Sequence, residues 1–144
     1  MILHAGLIAI QVAGDWRGAL IQGPSGIGKS DLALRALDCG FRLVADDRVV
    51  VFVSAGRLFG RAPQTLHGLI EARGLGVVGQ TALRLAPIAL SVRCKPTPEA
   101  VERLPEPSSE SLLGCDVPVF EVWPLEYTAP AKIRRAIEHL GARP

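Results

Sequence analysis

Gly23-Pro24-Ser25-Gly26-Ile27-Gly28-Lys29-Ser30 decides the fold. It is a full match to G-x-x-x-x-G-K-[ST], the pattern of a phosphate-binding loop. Its flanks agree. Ala19-Leu20-Ile21-Gln22 is a short apolar run leading in, and Ser30–Asp38 has helical spacing, with Leu32, Ala33, Ala36 and Leu37 on one face. Gly40 stands where a left-handed residue would end that helix. Glycines let successive backbone N–H groups turn inward around a phosphate, and the helix that follows adds unpaired N–H groups and the positive end of its dipole. Lys29 supplies a full charge to the terminal phosphates, and the Ser30 hydroxyl can ligate Mg²⁺. Gly23, Pro24, Ser25, Gly26, Ile27, Gly28, Lys29 and Ser30 are therefore the expected nucleotide-binding residues. The chain contains no asparagine, so the N-K-x-D pattern that reads guanine is absent, which favours adenine or loose base selection.

Outward from the loop, short apolar runs predict strands at Leu7–Val12, Arg42–Ala45, Val49–Val53, Leu69–Glu71, Leu83–Leu85, Ile88–Val92 and Val117–Val122. Ala13-Gly14-Asp15 reads as a turn, within a connection that extends over Ala13–Gly18. The Pro-rich stretch Lys95–Ser111 reads as a surface excursion with a short helix around Glu99–Leu104. Ala131–Leu140 closes the chain as a helix with Ile133, Ile137 and Leu140 on one stripe. Many strands, few helices and one strand–loop–helix unit predict a single α/β domain over residues 1–144, with a mixed β-sheet.

Composition narrows the function classes. Hydrophobic residues at 49% against 21% charged give a globular balance. A net charge of +2, from 16 basic and 14 acidic residues, is too even to point to nucleic acid or an anionic membrane as the main partner. The longest apolar run, Val49–Val53, falls far short of the ~20 residues a membrane helix needs. The first residues have no basic region of the signal-peptide kind. Cys39, Cys94 and Cys115 are odd in number and lack C-x-x-C spacing, so neither a disulfide framework nor a zinc site is expected. A cytoplasmic location follows from that reading.

Asp46 and Asp47 stand at the end of the Arg42–Ala45 strand, sixteen residues beyond Ser30. A carboxylate there can hold Mg²⁺ beside the phosphates. Adjacent residues of an extended chain face opposite ways, so a division of labour is expected, one carboxylate toward metal and nucleotide and one toward the phosphoryl acceptor. A positioned carboxylate base contributes ~10²–10⁴-fold to such a transfer. In Glu71-Ala72-Arg73-Gly74-Leu75-Gly76, a strand would point Glu71 and Arg73 the same way, and the two glycines would permit close backbone approach.

These residues resemble the catalytic domain of the HPr kinase/phosphorylase family, bacterial enzymes that phosphorylate a serine of the phosphocarrier HPr. His4-Ala5-Gly6-Leu7-Ile8 is similar to the family's H-G-V-L-V strand, and Phe41–Val49 to its H-R-L-V-A-D-D-x-V segment. Glu71–Val78 resembles the signature E-I-R-G-L-G-I-I, and Asp116-Val117-Pro118-Val119 the late D-V-P strand. The resemblance implies a P-loop kinase that uses ATP and Mg²⁺ in phosphotransferase-system regulation, in a short form without the family's amino-terminal domain. It implies Asp46 as acid/base toward the acceptor serine and Asp47 as its assistant or the metal's. Ser30 and Glu71 would serve the metal, His4 would lie near the transferred phosphate, and Arg73 would neutralise charge there. HPr or an HPr-like carrier is the implied partner, with phosphorolysis and homo-oligomer formation left open. A small-molecule P-loop kinase, with Arg57 and Arg61 recruited to a lid, and a non-catalytic ATP-binding regulatory module are the alternatives.

Overall fold

Leu7, Ile8, Ala9 and Ile10 are all buried, although neighbours on a strand point to opposite faces. Both faces of their sheet must therefore be covered. The computed structural model describes residues 1–141. In it β1 (Ile2–Leu3), β2 (Ala5–Val12) and β3 (Asp15–Gln22) precede the helix α1 (Lys29–Leu37). Then come β4 (Arg42–Ala45), β5 (Val49–Ser54), β6 (Arg57–Arg61), β7 (Leu69–Ala72), β8 (Gly76–Gly79) and β9 (Ala86–Cys94). The hairpin β10 (Ser109–Leu112) and β11 (Cys115–Val122) follows, and then helix α2 (Ala129–His139).

The main sheet has the order β1-β5-β6-β9-β3-β2-β4, and β9 is its fork. One edge of β9 runs parallel to β3, while the other meets β6 at Ala86 and Pro87 and then β11 from Ser91 to Cys94. β3, β4, β9 and β11 thus point the same way and bring their carboxyl ends to one rim. On one face Ile8, Ile10, Ile21, Leu90 and Val92 pack with Leu32, Ala33 and Ala36 of α1 and Ile133 and Ile137 of α2. On the other, Leu7, Ala9 and Leu20 pack with Val49, Val51, Leu58 and Val117, which the curl of β5, β6 and β11 brings round. Burying a leucine or isoleucine side chain stabilises by about 1.5–3 kcal/mol, so this double coverage is what holds the sheet.

Several expectations need correction. The connection after β2 is not a long turn, because Asp15–Gly18 already belong to β3 and Val12 faces Asp15 across a two-residue hairpin. Ala13 (φ 52°) and Gly14 (φ 85°) both take the positive φ that such a turn requires. Leu83–Leu85 is not a strand. The segment makes a single bridge, Ala82 to Leu43, and a bond from the Leu83 N–H to the Leu43 carbonyl, while Leu83 packs without a ladder. The short helix near Glu99–Leu104 is one 3₁₀ turn at Pro98–Ala100, which ends where Val101 takes an extended backbone. The strands β1, β6, β8 and β10 escape sequence patterning, being short, glycine-bearing or largely polar. No helix among the described residues is long and apolar enough to cross a membrane.

Candidate active site

β3 ends at Gln22 and α1 begins at Lys29, so Gly23–Gly28 must turn the chain at the sheet's carboxyl rim. Gly28 is the helix N-cap at φ 112°, and no side chain caps the helix. The Leu32 N–H bonds the Gly28 carbonyl at 2.9 Å, so the N–H groups of the first turn before it are left for an anion. Lys29 Nζ donates to the carbonyls of Gly23 (2.7 Å) and Pro24 (2.9 Å), which holds the ammonium in the mouth of the loop. Ile27 packs its side chain against the core, so its contribution to the loop is its backbone. The segment before α2 braces the loop from behind. A Cβ at Gly28 would stand 3.2 Å from Leu125, and Arg35 of α1 donates to the carbonyls of Pro124 and Glu126.

A cavity of about 370 Å³ opens over the loop, lined by Ser25, Gly26, Gly28, Lys29 and Ser30 together with Asp46, Asp47, Glu71 and Arg73. Asp46 is only 8% exposed. Its Oδ1 accepts from Ser30 Oγ at 2.7 Å and its Oδ2 from the Glu71 N–H at 3.0 Å. These two bonds tie the loop, β4 and β7 together at one carboxylate. Asp47 differs in every respect: its side chain is 59% exposed, with Oδ1 3.7 Å from His4 Nδ1 and Oδ2 3.8 Å from Arg48 Nε. The two carboxylates line one cavity with different partners, and the strand's pleat does not separate them: β4 stops at Ala45, and Asp47 takes a left-handed backbone (φ 67°).

The expected site residues therefore gather at one rim, with His4 joined to the cavity through Asp47 rather than lining it. Glu71 and Arg73 both reach the cavity, although β7 ends at Ala72 and Arg73 opens the turn to β8. The glycines that follow serve that turn and not a close approach, since Gly74 and Gly76 have positive φ and nothing within 4 Å of a built Cβ. Arg57 lies over the Phe59 ring at 5.3 Å and Arg61 bonds the Ala62 carbonyl, and neither lines the cavity. Asp31 and Leu34 do line it and were not singled out from sequence; their signal is position, one and four residues past Ser30 on α1.

Ser30, Asp46 and Glu71 offer hard oxygen donors of the kind that suit Mg²⁺. No group of three acidic, histidine or cysteine side chains is close enough to cage a metal among the described residues. The two facts agree, because Mg²⁺ is usually held by one or two carboxylates together with substrate phosphates. Cys94, beside Gly23, is a buried thiol. Burial pushes its pKa up to about 11, with the Lys29 charge working against the shift.

Known proteins are similar to this chain in sequence and fold. A solved structure of the HPr(Ser) kinase/phosphatase from Coxiella burnetii superposes with a TM-score of 0.79 at 26% identity, over 96% of this chain and 88% of that one. An HPr kinase/phosphorylase of Leptothrix cholodnii is 42% identical over 112 residues, 69% of this chain and 34% of its own length. One from Clostridium beijerinckii is 48% identical over 66 residues, 46% of this chain and 22% of its own. The chain thus spans about a third or less of the length of these two relatives. With the HPr serine kinase C-terminal domain matching residues 1–123, across the loop, the aspartate pair and the β7–β8 hairpin, the chain belongs to that family.

Proposed function

We propose that the chain is the catalytic unit of an ATP-dependent protein-serine kinase acting in the cytoplasm on HPr or an HPr-like carrier. The observation that carries this reading is Asp46, bonded at 2.7 Å to the hydroxyl that follows the loop lysine and lining the same cavity as Lys29 and Arg73. Phosphoryl transfer asks little covalent chemistry of the protein and much positioning and charge. The first turn of α1 and Lys29 hold the terminal phosphates of ATP. Ser30 and Glu71 would hold Mg²⁺, which when bound supplies charge neutralisation at those phosphates.

Asp46 takes the acceptor serine's proton as the serine oxygen attacks, and Arg73 balances the charge carried by the transferred group. Asp47, exposed and beside His4, faces outward where an incoming protein would sit, and the pair orients the acceptor. A cavity open to a protein's side chain favours this over a lidded small-molecule kinase, since Arg57 and Arg61 both lie elsewhere.

Asp46→Asn keeps the carboxylate's shape without its basicity. The expected outcome is Mg-ATP affinity within a few-fold of the parent, by calorimetry, and serine phosphorylation lowered by about 10²-fold or more. Equal transfer rates for variant and parent would remove Asp46 from the base's role. A regulatory module without catalysis predicts saturable ATP binding and no transfer by either.

A further inference from the structure

Behind the loop lies a polar cluster that the chemistry above does not use. The register of β3 against β9 pairs Leu20 with Ser91 and Gln22 with Arg93, so Gln22, Ser91 and Arg93 share the sheet face opposite the helices. β11 pairs with β9 only from Val119 onward, while its first half pairs with β10. The β10–β11 hairpin folds over that face, with Val117 in its core, and lowers Glu110 onto the three side chains. Gln22 Nε2 donates to Ser91 Oγ (2.7 Å) and to Glu110 Oε1 (2.8 Å). The Ser91 hydroxyl donates to the same Glu110 oxygen, and Arg93 Nη2 donates to Glu110 Oε2 at 3.0 Å. Ser91 is fully buried. Both N–H groups of Gln22 Nε2 and the Ser91 hydroxyl have acceptors, and three donors meet at the Glu110 carboxylate.

Gln22 is the last residue of β3, and Gly23 next to it is wedged in place. A Cβ there would meet Cys94 at 3.0 Å and Ile27 at 3.1 Å. The Gly23 carbonyl in turn accepts from Lys29 Nζ. A change in the setting of Gln22 therefore moves the carbonyl that holds the loop lysine. From this we infer that Glu110 is a positioning residue for the phosphate loop: by clamping Gln22 and Ser91, it makes nucleotide affinity depend on the seating of the β10–β11 hairpin. Nothing in the loop motif contains this device, because its parts lie 69 and 88 residues from Gln22. The inference rests on the nucleotide-binding reading above.

The test is calorimetry of a non-hydrolysable Mg-ATP analogue with the full chain, well below its melting temperature, paired with steady-state kinetics on the carrier. Glu110→Ala leaves the Ser91 hydroxyl and one Gln22 N–H without their charged acceptor, and a loss of affinity of about tenfold is expected. The KM for ATP should rise in step, with kcat at saturating ATP within about twofold, while Glu110→Gln falls between variant and parent. A Glu110→Ala chain that is folded and binds the analogue as the parent does, whatever its melting temperature, overturns the inference. If that variant does not fold, Arg93→Ala, whose side chain is 48% exposed, must show the same loss in smaller degree, and unchanged affinity overturns the inference equally. A parent chain with no affinity for the analogue removes the nucleotide reading itself, a result distinct from either.

Discussion

Asp47 is where a residue's local cost and its use are most visible. Its left-handed backbone is one that L side chains adopt at a penalty, smaller for aspartate than for most. Asp47→Gly should therefore raise stability, by about 1 kcal/mol, while serine phosphorylation falls. Thermal melting and the transfer assay together check the pair of signs, and a fall in both would mean that the His4 contact outweighs the backbone strain. Cys94 gives a second test at this scale. With its pKa moved from 9.0 to about 11, its thiolate fraction near pH 8 is about a hundredfold below that of an ordinary thiol. Mass spectrometry after brief alkylation of the folded chain should find label on the exposed Cys39 and almost none on Cys94. Equal labelling of the two would contradict the burial that sets this shift. Sequence alone pointed to both aspartates and to a separate setting for each. It did not show the reason, because a positive φ at Asp47 arises from how β4 ends against the Ala5 N–H, which bonds the Asp47 carbonyl at 3.2 Å.

Among elements, those with strong local signals were legible. α1, β4 and β9 lie where period and punctuation put them, since α1 buries one apolar face and the two strands bury apolar residues on both. β6 and β10 were not legible. Arg57–Arg61 and Ser109–Leu112 alternate weakly, and their place comes from partners at Val50–Ser54 and Cys115–Pro118, which no local window contains. The Glu110 cluster was hidden for the same reason. Its titration can be followed. Burial opposes ionisation of Glu110, but hydrogen bonds from Ser91, Arg93 and Gln22, together with the Arg93 charge, outweigh it and hold the pKa below the usual 4.5. A depressed folded-state pKa contributes stability above the unfolded value, and that contribution is lost as pH falls through the folded one. The chain should thus lose stability on acidification below about pH 4.5 in a way that Glu110→Gln lessens. Parallel acid-unfolding curves for the two proteins would contradict this.

Across the whole molecule, the sheet's carboxyl rim is the organising feature. It sets the loop after β3, the aspartates after β4 and the start of β2 side by side, and the β7–β8 hairpin adds Glu71 and Arg73 over them. The loop and the acidic pair could be read from sequence because each motif is local; their spatial meeting could not, since it depends on β2 lying between β3 and β4. The most direct measurement is to incubate the chain with HPr and Mg-ATP labelled at the γ-phosphate, then map the label on the carrier. Acid-stable label on a serine, abolished by Asp46→Asn, is the expected result. Label on a histidine, or no transfer by a chain that binds Mg-ATP, would contradict the assignment of this rim as a protein-serine kinase site.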